Sequence, residues 1–352
     1  MLLNRNCKYF RGDIPCKPHK KTGVHCDNCK DFSEITKRIL IIKLGAAGDV
    51  IRTTPLLEKL NKIYPGCHIT WLTDFPDLVP ISVDEIVKLG SRQSDWAAGK
   101  AYDILYCLDK DKEAIIIGEQ VSAKEKFGFG MDEFGRARAF NQLAEHKLFT
   151  GVFDDVSIAN KKSYPQEIFE ICGFEFNGEK YVLEYKSEKE WSFDKNKPLI
   201  GLNTGCGSRW PSRLWPNEYW ISLATEIQKN GMNVLWLGGP DEDSKNKTLQ
   251  SEAGGIYLGH FPFQDFISLI DQTDAVVTQV TMAMHLALGL GKKLILMNNI
   301  FNKYEFEMYG LGEIIEPSEP CDCYYAPVCP HDSMKKIEPE RIFETLTKYI
   351  KN

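Results

Sequence analysis

The segment from Ile39 to Pro55, ILIIKLGAAGDVIRTTP, constrains the fold of this chain more than any other. Four consecutive apolar residues, Ile39 to Ile42, predict a strand that is covered on both faces. Gly45 and Gly48 then allow the backbone to turn sharply and to approach another group closely. A strand, a glycine-rich turn and a helix in this order are typical of an α/β domain.

Asp49 follows the two glycines and begins the next segment with helical periodicity. A carboxylate at this point lies on the carboxyl side of the strand, where α/β folds bind their ligands. Asp is also favoured near helix N-termini, where it interacts with the helix dipole. The residues alone therefore leave two interpretations of Asp49 open, a catalytic carboxylate and a helix cap.

Length and composition predict a globular protein with two domains. The chain has 352 residues, of which 43% are hydrophobic and 26% charged, and its net charge is −6. That size accommodates two domains, and the negative charge does not favour nucleic-acid binding. The sequence shows neither a membrane-spanning stretch nor a signal peptide, so we predict a cytoplasmic protein. The composition does not exclude a function at a membrane surface.

Two blocks of alternating strands and helices predict two doubly wound domains that face a cleft. We assign residues 38–185 to the N-terminal domain and residues 186–352 to the C-terminal domain, with a charged linker at Glu184 to Pro198. The last helix, from about Glu338 to Ile350, is amphipathic and suits packing on either domain, including back on the N-terminal one. Strands are predicted at His68–Thr73, Leu199–Asn203, Asn233–Leu237, Ala275–Thr278 and Lys293–Met297.

Other segments have weaker patterns. Residues 126–147 are rich in glycine and charge, which predicts a loop entering a helix. Helices are predicted from Tyr164 to Cys172 and from about Pro216. Shorter apolar runs lie at Glu85–Leu89, Ile104–Leu108 and Ala114–Ile117.

The chain contains eleven cysteines, and seven of them lie in two clusters. In a reducing cytoplasm, clustered thiolates bind metal more often than they form disulfides. Residues 1–37 contain too little apolar core to fold alone, so we predict a metal-stapled segment. Structural zinc is the expected metal, with iron or an iron–sulfur centre as the alternative. The predicted ligands are Cys7, Cys16, Cys26 and Cys29. A second candidate cluster, separate or joined to the first, is formed by Cys321, Cys323, Cys329 and His331. The scattered Cys67, Cys107, Cys172 and Cys206 are interpreted as buried small residues.

The second block carries polar residues of its own. Arg209 and Arg213 lie in a loop before a helix N-terminus, an arrangement that favours a diphosphate or, alternatively, surface ion pairs. Glu242 follows a Gly-Gly-Pro turn, where its carboxylate could accept hydrogen bonds from a ribose or cap a helix. His285 lies in an apolar helical run, which is more typical of a core residue than of a catalyst.

The motifs IIKLGAAGDVIRTTP, SRLWPNEYW and VLWLGGPDED together resemble glycosyltransferase family 9, whose best-known members are ADP-heptose:lipopolysaccharide heptosyltransferases. The resemblance extends over roughly residues 38–350. It implies a GT-B fold, with the acceptor on the N-terminal domain and the nucleotide-sugar on the C-terminal one. It also implies inverting transfer of heptose from a donor such as ADP-heptose to lipopolysaccharide or another surface glycan. Such an enzyme needs no catalytic metal and no nucleic-acid partner, and peripheral contact with the cytoplasmic face of the inner membrane stays open.

The resemblance also implies roles for individual residues. Asp49 is the expected general base, and Gly45, Gly48 and Arg52 belong to the acceptor-side loop. The implied donor-binding residues are Thr204, Gly205, Arg209, Arg213, Gly239, Glu242, Thr281 and His285.

One motif departs from the family pattern. The family usually has Asp-Ser/Thr-Gly-x-x-His near the donor diphosphate, whereas this chain has VTMAMH at residues 280–285. Val280 cannot hydrogen-bond a sugar, and the glycine that would allow close approach to a phosphate is replaced by Met282. A donor sugar other than heptose therefore stays open.

Two other function classes stay open as well. Gly45-x-x-Gly48 after a strand mimics a dinucleotide-binding fingerprint of an NAD-dependent enzyme, but Lys43 stands where its first glycine should be. The other class is a degenerate, non-catalytic module that binds nucleotide and metal. This class stays open because Val280 and Met282 replace the polar residue and the glycine of the family motif. Within the transferase class, a protein heptosyltransferase is a further alternative.

Overall fold

The computed structural model describes residues 2–319 and 321–350. They form two compact units. The first unit comprises the chain up to Gly45 together with Pro55–Leu148 and Ile168–Glu175. The second unit comprises Ala46–Thr54, Phe149–Glu167 and the chain from Phe176 onward. The short segment that carries Asp49 is therefore part of the second unit, whereas the predicted domain boundaries at residues 37 and 185 stay a prediction.

The first unit is built on a six-stranded sheet, parallel except for its last strand. Its strands are β1 (Arg38–Ile42), β2 (His68–Thr73), β3 (Glu85–Lys88), β4 (Ala101–Cys107), β5 (Ser122–Met131) and β6 (Ala137–Ala139). Their order is β3-β2-β1-β4-β5-β6, so β1 lies inside the sheet. Leu40 and Ile42 of β1 pack in an apolar core with Leu72, Leu105 and Val121, which confirms the buried strand predicted there.

The second unit is built on a five-stranded sheet in which every ladder is parallel. Its strands are β7 (Leu199–Asn203), β8 (Asn233–Leu237), β9 (Ala275–Gln279), β10 (Lys293–Met297) and β11 (Gly312–Ile315). Their order is β11-β10-β9-β7-β8. The predictions at β7, β8 and β10 have the observed bounds, and β9 extends one residue further. Parallel strands direct their carboxyl ends, and the loops that follow them, to one edge of the sheet.

Helices connect the strands of both units. They are α1 (Lys17–Thr22), α2 (Ala47–Thr53), α3 (Pro55–Ile63), α4 (Arg92–Ala98), α5 (Lys112–Gln120), α6 (Glu145–Thr150), α7 (Asp154–Ala159), α8 (Tyr164–Ile171), α9 (Asn217–Lys229), α10 (Asp243–Ala253), α11 (Phe263–Asp271), α12 (Met282–Gly289) and α13 (Pro339–Ile350). Short 3₁₀ turns lie at Cys26–Asn28, Pro76–Leu78, Gln142–Ala144, Pro211–Arg213, Pro240–Glu242, Lys303–Glu305 and Ser333–Lys336. The helices predicted at α8, α9 and α13 are confirmed. No helix among residues 2–319 and 321–350 is long and apolar enough to cross a bilayer.

The loop predicted over residues 126–147 is wrong in its first half, where β5 and β6 form an antiparallel pair. Two of the glycines that suggested a loop, Gly128 and Gly130, allow close packing, whereas Gly135 has positive φ and lies in the turn between β5 and β6. A Cβ at Gly128 would lie 1.9 Å from the carbonyl oxygen of Cys107 on the neighbouring strand. The apolar run Ala114–Ile117 lies in α5, whereas the other two short runs are strands β3 and β4.

Two segments near the second sheet have partners within the second unit. Ile342 and Leu346 of α13 are buried in the core of this unit. The segment predicted as a linker has no helix or strand, but it is tied to α11. Tyr185 donates to Asp271 at 2.7 Å, and the indole of Trp191 donates to Ser268 at 3.0 Å.

Candidate active site

A cavity of about 620 Å³ lies within the second unit. Its walls come from the start of α2, from the loops that follow β7, β8 and β9, and from the start of α12. The predicted site residues that line it are Gly48, Asp49, Arg52, Gly205, Arg209, Arg213, Gly239, Glu242, Thr281 and His285. Two predicted residues lie elsewhere: Gly45 is in the first unit, and Thr204 does not line the cavity. The sheet edge therefore collects most of the predicted polar groups at one place, as expected for parallel strands.

Asp49 lies in the first turn of α2, and its side chain is 31% exposed. The residue at the N-cap position is Ala46, so Asp49 does not cap the helix in the strict sense. Its Oδ1 atom accepts a hydrogen bond from Nε of Arg52 at 2.9 Å and forms an ion pair with Nη2 of the same residue at 2.9 Å. A carboxylate held in this way at a cavity wall can accept a proton from a bound hydroxyl.

Neither Gly45 nor Gly48 is among the described residues with positive φ, so the connection from β1 to α2 does not use a left-handed conformation at either glycine. Gly48 is part of α2, and its Cα hydrogens face the ring of His285. The amide of Gly45 donates to Asp109, which also pairs with the buried ammonium of Lys43. Both glycines thus serve close packing rather than an unusual backbone conformation.

His285 is buried with 5% exposure and lines the cavity. Its Nδ1 lies 3.4 Å from the hydroxyl of Tyr181. Burial, reinforced by the nearby Arg52 guanidinium, lowers the pKa of His285 to about 3. The imidazole is therefore neutral at physiological pH and can offer a hydrogen bond to a ligand but not a positive charge.

Arg213 is a buried cation at the cavity wall. Its guanidinium donates to the backbone carbonyls of Cys206, Trp210 and Val280. Burial lowers its pKa, and the neighbouring Arg209 acts in the same direction. A guanidinium has five N–H donors, so these three bonds leave donors for an anion in the cavity. Arg209 lines the same cavity, with its guanidinium 5.2 Å from the ring of Trp210.

Glu242 lies over the glycine loops after β7 and β8. Its Oε2 accepts a hydrogen bond from the amide of Gly239 at 2.9 Å. A Cβ at Gly205 would come within 2.2 Å of the Glu242 carboxyl group. The glycines therefore allow this carboxylate to approach the loop backbone closely. Glu242 is thereby held in one position at the cavity wall.

Thr204 is fully buried, and its hydroxyl donates to Asn246 at 2.6 Å. The preceding residue, Asn203, lines the cavity in its place and donates to Thr278 at 2.9 Å. Thr281 is the N-cap of α12, where its hydroxyl accepts a hydrogen bond from the amide of Ala283 at 3.2 Å. The polar end of α12 thus faces the cavity in spite of the apolar residues Val280 and Met282.

Sequence reasoning missed the aromatic part of the cavity wall. It consists of Trp210, Phe261, Phe263, Phe266, Phe301, Phe306 and Tyr325. Such rings suit a nucleobase or the apolar face of a sugar. Its sequence signals were the FPF triplet at residues 261–263 and Trp210, which stands between the two arginines. Phe301 and Tyr325 carry no comparable signal, because Phe301 belongs to no predicted motif and Tyr325 lies within a cysteine cluster that was predicted to bind metal.

The C-terminal cysteine cluster is formed in the structure, although not with the predicted set of ligands. The ligand atoms of Cys321, Cys323 and Cys329 all lie within 4.8 Å of one another. His331 instead groups with Cys323 and Asp322, and its Nε2 lies 2.9 Å from Asp322. Close thiols cannot all ionise together, so hydrogen bonding to Cys329 raises the pKa of the Cys323 thiol. Three neighbouring thiol groups fit a tetrahedral sulfur site for zinc or iron, with a fourth position to be filled.

The N-terminal cysteines line one cavity of about 300 Å³ in the first unit, together with His19 and His25. The predicted ligands that line it are Cys7, Cys16, Cys26 and Cys29. Among the described residues, no three of these side chains bring their ligand atoms within 4.8 Å. The structure therefore assembles the candidates around one space without forming a compact site. The four scattered cysteines are buried, as predicted.

A family model and a curated relative both show similarity to heptosyltransferases. A family model described as glycosyltransferase family 9 (heptosyltransferase) matches residues 166–297. The chain is 27% identical over 290 residues to the lipopolysaccharide core heptosyltransferase OpsX of Haemophilus influenzae, covering 75% of this chain and 79% of that protein.

Solved structures show the same fold. A family 9 glycosyltransferase from Veillonella parvula superposes with a TM-score of 0.69 at 18% identity, over 90% of this chain and 98% of the other. The ADP-heptose LPS heptosyltransferase II of E. coli superposes with a TM-score of 0.65 at 19% identity, over 89% and 98%. The two parallel sheets are those of the GT-B fold, which confirms the predicted fold class.

Proposed function

We propose that this chain is a family 9-like glycosyltransferase that transfers heptose from ADP-heptose to a hydroxyl group of a lipopolysaccharide or other surface-glycan acceptor. Asp49 is the general base in this proposal. The acceptor is glycan or glycolipid, and the enzyme works in the cytoplasm, in peripheral contact with the inner membrane. The proposed reaction inverts the configuration at the anomeric carbon.

The observation that carries the proposal is the composition of a single cavity. Asp49 lines it on one side, while Arg213 and Glu242 line it on the sheet edge. A carboxylate base, a buried cation for a diphosphate and a carboxylate for ribose hydroxyls are the groups that sugar transfer from a nucleotide donor requires. Their common location within the second unit supports one reaction centre.

Asp49 acts on the acceptor. The acceptor oxygen attacks the anomeric carbon, and the carboxylate takes the hydroxyl proton as the new carbon–oxygen bond forms. The bond from the anomeric carbon to the diphosphate oxygen breaks on the opposite face, through a transition state with oxocarbenium character. A positioned base of this kind contributes about 10²–10⁴-fold to the rate.

The leaving nucleoside diphosphate carries the negative charge that the site must stabilise. The remaining N–H donors of Arg213, together with Arg209, face the cavity where that charge develops. Thr281 and the first amides of α12 add donors and a favourable helix dipole. His285 contributes a neutral hydrogen-bonding group. The aromatic wall provides a surface for the base.

The relatives suggest the identity of the donor, whereas the motif at residues 280–285 leaves other donor sugars possible. The relatives named above are described as a lipopolysaccharide core heptosyltransferase and an ADP-heptose LPS heptosyltransferase. Val280 replaces a polar residue at the sugar end of the site, and its carbonyl is engaged by Arg213. A donor with a different sugar, or a degenerate module that binds nucleotide without turnover, is the alternative that this replacement favours.

The cysteine clusters are proposed as structural metal sites. Cys321, Cys323 and Cys329 supply three sulfur ligands, which fit zinc and also fit iron. Thiolate ligation would fix the loop at residues 321–329, which lies beside the active-site wall at Tyr325. The chemistry of sugar transfer is assigned to Asp49 and the donor-binding groups, without a catalytic metal.

The proposal is tested in two steps on the purified full chain. Thermal stabilisation is measured with ADP, UDP, GDP, CDP, TDP and NAD, and turnover is then measured with the matching sugar donor and a lipopolysaccharide acceptor. We expect ADP to stabilise the protein selectively and ADP-heptose to support transfer. Stabilisation by another diphosphate would change the donor, and a response to NAD alone would overturn the transferase assignment.

Asp49→Asn tests the base. We expect it to lower turnover by about 10²–10⁴-fold, while ADP still raises the melting temperature as in the wild type. Asp95→Asn is the matched control, because Asp95 also lies in the first turn of a seven-residue helix but is exposed in the first unit. Normal turnover in Asp49→Asn would refute the assignment of the base.

A further inference from the structure

We infer that Arg52, Glu305 and Tyr325 form a positioning chain that holds the Asp49 carboxylate in its reactive orientation. The inference rests on the proposed function, since it assigns no role to these residues unless Asp49 accepts the proton. It departs from the expectation that Arg52 belongs to the acceptor-binding loop. The three residues are here called the positioning chain.

The first link joins Arg52 to Asp49. Nε of Arg52 donates a hydrogen bond to Oδ1 of Asp49 at 2.9 Å, and Nη2 forms an ion pair with the same oxygen at 2.9 Å. The side chains of Arg52 and Asp49 are 12% and 31% exposed, so water weakens this pair less than it would weaken a fully exposed one. A charge-assisted hydrogen bond and an ion pair to the same oxygen restrict the rotation of the carboxylate about its bond to Cβ.

The second link holds Arg52 itself. Its guanidinium carbon lies 3.6 Å from the centre of the Tyr164 ring, and Nη1 lies 3.9 Å from Oε2 of Glu305. Burial alone would lower the pKa of Arg52, but Asp49, Tyr164 and Glu305 outweigh it and raise the pKa above the ordinary value. A stacked and paired arginine has few alternative rotamers.

The third link holds Glu305. This residue is buried with 8% exposure at the end of the 3₁₀ turn Lys303–Glu305. Its Oε1 accepts a hydrogen bond from the hydroxyl of Tyr325 at 2.9 Å. The Tyr325 ring in turn packs edge-to-face on Phe301, with centroids 4.8 Å apart. Tyr325 is 37% exposed and lines the cavity, so the positioning chain ends in the aromatic wall at the cavity surface.

Charge balance argues against Arg52 as an acceptor-binding group. Two carboxylates, Asp49 and Glu305, already lie on one guanidinium, so its charge is more than compensated. A phosphate or carboxylate on the acceptor would be repelled by these neighbours unless they moved. Arg213, in contrast, bonds to neutral carbonyls and keeps its charge for a ligand. The two buried arginines of the cavity thus have different tasks.

The test compares Arg52→Gln, Arg52→Lys and Glu305→Gln by steady-state kinetics with the donor and acceptor of the wild-type reaction. We expect Arg52→Gln to lower kcat by about 10²-fold, the size of effect that misplacing a reacting group produces, with donor and acceptor KM nearly unchanged. Arg52→Lys should recover part of the loss, and Glu305→Gln should lower kcat by about 10-fold or more. Arg138→Gln is the matched control, because Arg138 also pairs with a carboxylate, Glu119 at 3.0 Å, and lies over an aromatic ring in the first unit.

A double-mutant cycle separates this inference from the proposed function. In the Asp49→Asn background, Arg52→Gln should cause little further loss of residual turnover, because both changes remove one function. Full additivity, or a rise in acceptor KM at unchanged kcat, would overturn the positioning role. Wild-type turnover in Asp49→Asn would instead refute the assignment of Asp49 as the general base. If Arg52→Gln does not fold, Tyr325→Phe tests the same role at the far end of the positioning chain.

Discussion

The imidazole ring of His285 lies directly against Gly48: a Cβ at residue 48 would come within 2.5 Å of Cδ2 and 3.0 Å of Nε2. Helix α2, which carries Asp49, therefore approaches α12 this closely only because residue 48 has no side chain. The two residues set the position of the proposed base relative to the donor end of the cavity. This contact has a direct consequence for substitution.

We expect Gly48→Ala to destabilise the protein and to lower turnover. Alanine favours a helix over glycine by about 1 kcal/mol, but the clash with a buried ring costs about 1–3 kcal/mol, so the clash outweighs the gain. Chemical denaturation and kcat measure the two effects. Gly99→Ala is the control, because its nearest neighbour would lie 3.5 Å away. The double variant Gly48→Ala/His285→Ala should lack the clash, and a purely additive loss there would contradict this explanation.

The stability of the protein should fall in acid because of His285. Its folded pKa, lowered to about 3 mainly by burial, lies below the unfolded value of about 6.5. Between pH 6.5 and pH 3, His285 is protonated in the unfolded state but not in the folded state. Its contribution to the free energy of unfolding is therefore complete above pH 6.5 and is lost as the pH falls toward 3. The slope from this group is at most about 1.4 kcal/mol per pH unit. Urea unfolding between pH 7 and 4 should therefore show a weaker pH dependence for His285→Gln, and parallel curves would contradict this.

Glu242→Gln should weaken donor binding more than it lowers kcat. The neutral amide keeps the shape of the side chain but loses the charge-assisted hydrogen bonds to ribose hydroxyls, which are worth about 1.5–3 kcal/mol. We expect at least about a 10-fold increase in the dissociation constant of ADP, measured by calorimetry. Glu252→Gln, at an exposed position of α10, should bind ADP as the wild type does. Unchanged affinity in Glu242→Gln would leave Glu242 with the sole task of ordering the loop through Gly239.

Metal removal should destabilise the protein through the C-terminal cluster. We expect Cys323→Ser to reduce the bound zinc or iron measured by mass spectrometry, because Cys323 belongs to both groups of candidate ligands. The melting temperature should fall on chelation in the wild type and respond less in the variant. Cys67→Ser, at a buried cysteine outside both clusters, should retain the metal content. Chelation that removes metal and activity without lowering the melting temperature would contradict a structural role.

The strands and the main polar residues of the site were predictable from sequence, because their signals are local. A buried strand reads as a run such as Ile39 to Ile42, and parallel strands bring their following loops to one edge. This is why Asp49, Arg213 and Glu242 could be named before their common cavity was known. The same local signals misled at Gly128, where glycine serves close strand packing instead of a turn.

The tertiary structure alone decided which neighbours these residues have. Arg52 pairs with Glu305, which in turn accepts a hydrogen bond from Tyr325, and both residues are more than 250 positions away from Arg52 in sequence. Thr204 faces Asn246 inside the protein, so Asn203 takes its place at the cavity. Burial and pairing also set the pKa of His285, and no local pattern contains that information. Hydrophobic periodicity reports what a segment buries, whereas contacts between distant segments arise only when the sheets and their loops have packed.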